Sequence, residues 1–393
     1  MKILHTVESY YPSIGGMQEV VQQISQRLVK MGHEVTIATS QHPSRTNKLI
    51  NGVKIVEFQI SGKNVTGIVG EIESYKDFLL SSDFDIITNF AAQQWATDLM
   101  LPLLDKIKAK KVFVPTGFSS LYDPEYHQYF ENMKKWMKQY DMNVFLSEIY
   151  RDIEFAKNIG IHKITVIPNG AAEDEFYPGP DLNIRKELEI PENQFIILLV
   201  GSHTRLKGHI EAIRIFRRSY LKKSTLIVVG NSYDKWCYFS CILSKYLFNI
   251  NPFNIANNRH IIIVQLPRHA TVALYKTANL FLFPSNVECS PLVLFECMAA
   301  KLPFLTTDVG NAREIITWSD GGVLLPTIID SKGYSHADIK KSVSSLENLA
   351  KNSGMRKDLG KNGFENWQKR FSWEIIAKEY ERLYQDLMNG DKI

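Results

Sequence analysis

Short apolar runs alternate with longer amphipathic segments along the whole chain. KILHTV, at residues 2–7, has the length and character of a buried strand. A loop, YYPSIGGM, follows. In the next segment, QEVVQQISQRLVKMGH, Val20, Val21, Ile24, Leu28 and Met31 recur at helical spacing. Gly32 ends that helix and EVTIAT reads as the next strand. Strand, glycine-rich loop, helix and strand in that order form the repeating unit of a parallel sheet. VKIVEF, DIITNF, KVFVPTGF and NVFLS add strands, IYRDIEFAKNIG a helix, and KITVIPNG closes the first half.

Residues 171–195 are polar and rich in proline and acid, which predicts a linker between domains. FIILLVGS then restarts the pattern, with the helix HIEAIRIFRRSYL and the strand TLIVVGN behind it. HIIIVQL, LFLFPS, PFLTTDV and GGVLL read as later strands of a second parallel sheet. The expected organisation is therefore α/β. A first doubly wound domain covers 1–170, a linker 171–195 and a second doubly wound domain 196–372. The last segment, 373–390, is an amphipathic helix that completes the first domain. Ligands of such sheets bind at the carboxyl ends of the strands. Two halves of this kind predict a cleft between them as the site.

Composition narrows the picture only a little. The chain has 393 residues, 45% of them hydrophobic and 22% charged, as expected of a globular enzyme. A net charge of +4 is too weak to indicate nucleic acid, but it suits phosphate-bearing ligands or an anionic membrane surface. Cys237, Cys241, Cys289 and Cys297 form no C-x-x-C pair. Cys237 and Cys241 share a helix face, yet no histidine cluster completes a metal site, so all four read as reduced thiols. MKILHTVESYY lacks the apolar run of a signal peptide, and no stretch of about 18 apolar residues occurs, so a cytoplasmic chain is expected. From Lys235 to Val287 there is no Asp or Glu, and WCYFSCILSKYLFNINPF is crowded with aromatics. That region reads either as a helix packed on the sheet or as a surface patch for a membrane or a lipid-linked substrate.

The chemistry concentrates in ECSPLVLFECMAAKLPF, where Glu288 and Glu296 stand eight positions apart. On one uninterrupted helix they would lie about 80° apart and about 12 Å along the axis. Ser290 is a good N-cap and Pro291 a good first helical residue, so a helix is expected from Pro291 to Ala300. Glu288 then belongs to the loop and Glu296 to the helix. Between them lie the free N–H groups of a helix start, which favour an anion such as a phosphate.

With its context, ALYKTANLFLFPSNVECSPLVLFECMAAKLPFLTTDVGNAREII, this stretch resembles the retaining nucleotide-sugar glycosyltransferases of family 4, which have the GT-B fold. YYPSIGGMQEVVQQISQRLVKMGHEVTI, KITVIPNGAAEDEFYP and FSWEIIAKEYERLYQDL agree in the same order, so the resemblance covers nearly the whole chain. It implies two Rossmann-like domains facing across a cleft, and transfer of a sugar from a nucleoside diphosphate to an acceptor hydroxyl with an α-linkage. The donor would be UDP-, GDP- or ADP-linked, the acceptor a glycan or lipid-linked. The resemblance also implies bacterial surface-glycan or glycolipid synthesis at the inner face of the cytoplasmic membrane, with peripheral membrane contact. No cofactor and no metal are expected, since no Asp-x-Asp metal site is evident. No nucleic-acid partner is expected.

The resemblance also implies roles. Glu296 accepts hydrogen bonds from the ribose hydroxyls, and Glu288 contacts the donor sugar near the reacting carbon. Backbone N–H groups of Ser290 and Leu292 hold the diphosphate, while Lys207 and Arg205 neutralise it as it leaves. Gly15 and Gly16 let a loop approach the donor phosphates or the acceptor, and Tyr10 and Thr116 lie near the acceptor or donor sugar. Two positions depart from the family's pattern. Ser202 stands where an arginine is usual, and Thr116 stands where many members have a histidine. A threonine cannot act as a base at neutral pH. His5, His127 and His203 are further candidates, each better explained as structural. The competing readings are an epimerase or phosphorylase of the same fold, and a non-catalytic sugar-nucleotide-binding subunit.

Overall fold

The structure is a computed structural model that describes residues 1–391. The chain divides into two compact units. The first takes residues 1–169 and the C-terminal segment from Trp373, and the second takes Gly170–Ser372.

The first unit contains β1 (Lys2–Thr6), β2 (Glu34–Ser40), β3 (Leu49–Ile50), β4 (Val53–Phe58), β5 (Ile60–Lys63), β6 (Gly67–Gly70), β7 (Ile86–Phe90), β8 (Lys110–Val114), β9 (Met142–Phe145) and β10 (Ile164–Val166). Eight of them form one sheet in the order β10-β9-β8-β7-β1-β2-β4-β3, and β5 and β6 pair as a separate hairpin. Every neighbour in the large sheet is parallel except β3, which runs antiparallel to β4 at the edge. Strands covered on both faces read as near-continuous apolar runs. β7, IITNF, is buried at all five positions. Its one amide side chain is satisfied: Asn89 donates to Thr6 Oγ1 at 2.7 Å and accepts from Tyr140 Oη at 2.8 Å.

The helix Trp373–Asn389 packs on the first unit, with Trp373, Ile376, Tyr380, Leu383, Tyr384 and Leu387 buried at helical spacing. Arg27 Nη2 donates to Glu374 Oε1 at 2.5 Å, and His33 Nε2 lies 2.8 Å from Glu381 Oε1. The Tyr384 hydroxyl lies 2.7 Å from Thr88 Oγ1 and 3.2 Å from His5 Nε2, joining the terminal helix to the sheet's central strands.

The second unit contains β11 (Phe195–Val200), β12 (Ser224–Val229), β13 (Arg259–Val264), β14 (Leu280–Phe283), β15 (Phe304–Thr306) and β16 (Gly322–Leu324). They form a wholly parallel sheet in the order β13-β12-β11-β14-β15-β16. Residues 171–195 are not a free linker. They carry the short helices Glu173–Phe176 and Ile184–Glu187. Phe176, Ile184 and Ile190 are buried in the second unit's core. Single apolar anchors among polar residues show no period, so the composition of this segment hides its packing. Among the described residues, no helix is long and apolar enough to cross a membrane.

His5 is fully buried, and desolvation lowers its pKa from about 6.5 to about 3. The unfolded chain therefore binds the proton more tightly. The stability drawn from neutral His5 is fully present above pH 6.5 and is lost as pH falls toward 3. Between pH 7 and pH 5 this amounts to about 2 kcal/mol. Urea unfolding of wild type and of His5→Gln at the two pH values should show that difference. Equal pH dependence of the two proteins would refute it.

Candidate active site

In the second unit the strand order reverses between β11 and β14. From β11 the chain proceeds outward to β12 and β13, and from β14 to β15 and β16. The loops leaving these two adjacent strands, 201–208 and 284–291, therefore stand side by side at their carboxyl ends. This is the place where open α/β sheets bind ligands.

Local contacts fix both loops. His209 Nε2 donates to Gly201 O at 2.9 Å, closing the first loop on itself. Asn286 N donates to Leu206 O at 2.8 Å, and Ser285 Oγ lies 3.0 Å from the same carbonyl. Two glycines are required here. Gly208 has φ +68°, and a Cβ there would come within 1.9 Å of Pro284 O. Gly310 has φ +56°, and its Cβ would come within 2.3 Å of Cys289 O, the carbonyl that accepts from Asn311 N at 2.8 Å. Both positions combine left-handed backbone with a close approach that only glycine allows.

These loops bring Lys207 and Glu288 together. Lys207 Nζ donates to Glu288 Oε1 at 2.6 Å, and Ser285 Oγ lies 2.8 Å from the same oxygen. The helix behind them runs from Leu292 to Ala299, with Pro291 at the cap position and Ser290 just before it, one residue later than the sequence suggested. Its first turn holds no acidic residue. The helix that Gly16 opens in the first unit differs, since Glu19 stands in its first turn. A carboxylate there already interacts favourably with the helix dipole, so the Leu292 helix is the better anion seat of the two.

Glu296 is buried on the Leu292 helix, and its partner was not foreseen. Arg268 Nη1 donates to Glu296 Oε1 at 2.5 Å, while Arg268 Nη2 donates to Glu175 Oε2 at 2.5 Å. Arg268 thus joins two carboxylates from distant parts of the chain. The only sequence signal for it is the basic residue after the Leu266–Pro267 turn that follows β13.

Arg205 is not drawn into the Lys207–Glu288 pair. Its exposed side chain reaches Asp234, Nε to Oδ2 at 3.0 Å. Asp234 in turn caps the helix Lys235–Asn249 by accepting from Cys237 N at 2.7 Å. The backbone N–H and the cation together hold the Asp234 carboxyl below its ordinary range.

In the first unit the corresponding reversal lies between β1 and β7. Gly15 and Gly16 follow β1, Gly15 with extended backbone at φ 178°. Tyr10 is turned into the first unit's interior. It is fully buried, desolvation raises its hydroxyl to about 12, and its carbonyl accepts from Arg45 Nη2 at 2.9 Å. Tyr11 and Ile14 are the exposed side chains of that loop. Glu8, at the end of β1, is half-buried and held above the ordinary carboxylate range, chiefly by desolvation. Thr116, after β8, has φ +58°, a strained conformation for a β-branched residue. The next residue, Gly117, donates its N–H to buried Asp152 at 2.8 Å.

His127 opens the helix His127–Gln139 and is exposed. His5 and His203 are buried. His203 corrects one expectation from the sequence. Its Nδ1 lies 3.6 Å from Cys237 Sγ, and with Cys241 it forms a trio of candidate ligands within 4.8 Å of one another. Burial raises the Cys241 thiol to about 12 and pushes Cys237 up as well, which disfavours the thiolate a metal requires. The chain also contains an Asp-x-Asp spacing, Asp83-Phe84-Asp85. It lies at the amino end of β7, where Asp83 pairs with Lys2 Nζ at 2.5 Å and Asp85 accepts from Lys2 N at 2.7 Å. It is thus at the opposite end of the sheet from the ligand-binding loops.

Residues 14–175 match the family model described as Glycosyltransferase Family 4, and residues 181–366 match Glycosyl transferases group 1. The N-acetyl-alpha-D-glucosaminyl L-malate synthase of Bacillus anthracis is 23% identical, covering 97% of each chain. The alpha-monoglucosyldiacylglycerol synthase of Acholeplasma laidlawii is 24% identical, covering 97% of this chain and 96% of its own. Among solved structures, Anabaena HepE in complex with UDP-glucose superposes with a TM-score of 0.74 at 13% identity, covering 98% of this chain and all of its own. The fold is GT-B, two Rossmann-like α/β domains.

Replacing Gly310 by alanine should destabilise the protein by about 1–3 kcal/mol, since it adds backbone strain and a clash with Cys289 O. Urea unfolding would measure it. A change below about 0.5 kcal/mol, the level of an ordinary surface substitution, would show that the Glu288 loop relaxes freely.

Proposed function

We propose that this chain, a family 4-like glycosyltransferase of the GT-B fold, transfers a sugar from a nucleoside diphosphate to an acceptor hydroxyl with retention, giving an α-linkage. The setting would be bacterial polysaccharide or glycolipid assembly. The observation that carries the reading is the Lys207–Glu288 pair at the β11–β14 reversal, directly ahead of the Leu292 helix start and of Glu296. The relatives named above, a glucosaminyl-malate synthase and a glycolipid synthase, support it. A UDP-sugar is the first donor to test, because HepE was solved with UDP-glucose.

In this reading Glu296 accepts from the ribose hydroxyls, with Arg268 fixing its other oxygen. The diphosphate sits at the N–H groups of Ser290 and Leu292. Glu288 holds hydroxyls of the donor sugar. The bond between the anomeric carbon and the phosphate oxygen breaks with its electron pair going to the diphosphate. Lys207 and the helix start stabilise that charge, an effect that counts most where it develops in the transition state. The acceptor oxygen attacks from the face the diphosphate leaves, and its proton passes to the departing phosphate oxygen. No side chain base is required, which accords with Thr116 in the position where a histidine is common. Arg205 contributes to the diphosphate only when its pair with Asp234 opens. The acceptor is assigned to the first unit's own loops, where Tyr11 and Ile14 are exposed.

Thermal-shift titration with UDP, GDP, ADP and their sugars should reveal the donor, since a ligand of the native state raises the melting temperature. Glu296→Ala should then weaken nucleotide binding roughly ten- to a hundredfold, the loss of a charged hydrogen-bond acceptor. Unchanged affinity would sink the ribose assignment. Lys207→Ala should lower kcat about a hundredfold with nucleotide affinity less affected. Since the leaving-group cation is assigned to Lys207, turnover should survive a chelator, and its abolition would point to a metal instead.

A further inference from the structure

The helix Lys235–Asn249 carries apolar side chains on both its inner and its outer side, with Ser240, Ser244 and Lys245 as its interior polar positions. Its inner face, Cys237, Cys241 and Phe248, is buried in the second unit. Its outer face is apolar too. Trp236, Phe239, Leu243, Tyr246 and Leu247 are exposed, Trp236 by 71% and Tyr246 by 62%. Ile250, Phe253 and Ile255 extend the stripe past the helix end. A contiguous exposed apolar patch marks an interaction surface.

Charge indicates what covers it. A groove of about 820 Å³ runs between this face and the helix His209–Arg218. Trp236, Phe239, Leu243 and Leu247 line one wall, and Arg214 and Arg217 the other. Both arginines are exposed, and neither has a carboxylate partner among the described residues. Glu211 lies in the neighbouring recess beside Arg205. The sequence from Lys235 to Val287 contains no acid to repel an anion. A second copy of the chain fits poorly, because a two-fold contact would set this cation-rich face against itself. A bilayer offers both complements at once. Phosphates suit arginine, and the headgroup boundary suits Trp and Tyr with Leu and Phe beneath them. From Trp236 to Ile250 the stripe is about 21 Å long, enough to lie flat in that boundary.

We propose that this face of the second unit docks on an anionic lipid bilayer, with Arg214 and Arg217 taking lipid phosphates and Trp236, Phe239, Leu243 and Leu247 entering the acyl boundary. The inference is independent of the transferase reading, since docking needs neither donor nor turnover. It is tested by sedimenting the full chain with vesicles of phosphatidylcholine alone or mixed with phosphatidylglycerol. Binding is expected to the mixed vesicles only, and added salt should reverse it. Arg214→Gln/Arg217→Gln and Trp236→Ser/Leu243→Ser should each reduce it by roughly tenfold or more, with melting temperatures unchanged because all four side chains are exposed. Equal binding to neutral and anionic vesicles, or variants that bind like wild type, would overturn the proposal. So would a dimer in vesicle-free solution that Trp236→Ser/Leu243→Ser dissolves while neither vesicle is bound, which would assign the face to a second copy.

Discussion

The arrangement of the second unit follows from one constraint: two parallel neighbours, β11 and β14, send their chains to opposite sides of the sheet. Their register is short, Ile197 opposite Leu280 and Leu198 opposite Phe281. Beyond it no crossover helix fills the space above both strand ends, so the loops 201–208 and 284–291 must cover it themselves. They do so with backbone contacts, Asn286 N to Leu206 O among them, and with close approaches at Gly208, in the first loop, and at Gly310, after β15, where an added Cβ would meet the second loop's carbonyls, Pro284 O and Cys289 O respectively. Lys207 and Glu288 are the side chains that such loops carry into the gap.

Each carboxylate of the site is met by one cation, Glu288 by Lys207 and Glu296 by Arg268. The glutamate side chains are only 10% and 8% exposed. Charges so withdrawn from water are destabilising unless paired. Lys207 and Ser285 both meet Glu288 at Oε1, and Arg268 meets Glu296 at Oε1. The pairing therefore serves folding. Arg268 is itself anchored to Glu175, so the second pair is part of a three-residue chain rather than an isolated contact.

Much of this was legible in the sequence, for identifiable reasons. The strand–loop–helix alternation is periodic, and Glu288 and Glu296 sit within one strand-to-helix turn, so their relation is local. Arg268 and Glu175 were not legible, because only the strand order brings them to Glu296. Tyr10, placed by the family resemblance near the acceptor or donor sugar, has a buried side chain, and Arg45 holds its carbonyl and that of Tyr11. Residues 171–195 have the composition of a linker, but Phe176, Ile184 and Ile190 pin them to a core. The aromatic helix is the instructive ambiguity. Its sequence offers a helix packed on the sheet or a surface patch for a membrane or a lipid-linked substrate; the structure buries one face of it and exposes the other.

The two units use the same topological feature in different physical ways. Around its reversal the second unit holds full charges in pairs. Near its own, the first unit holds strained backbone: Ala91 and Gln93 after β7, and Thr116 and Phe118 after β8, all have positive φ. Such conformations cost about 1–3 kcal/mol each and persist only where the surroundings over-determine them. Here they are held by buried hydrogen bonds. Gln93 N donates to Tyr129 Oη, which donates to Asp98, and Gly117 N donates to Asp152. Burial raises both carboxyls to about 6, yet at neutral pH each stays mostly ionised and is held by these hydrogen bonds. In the first unit the buried carboxylates are thus tied to backbone N–H groups and a tyrosine, whereas in the second the carboxylates meet cations.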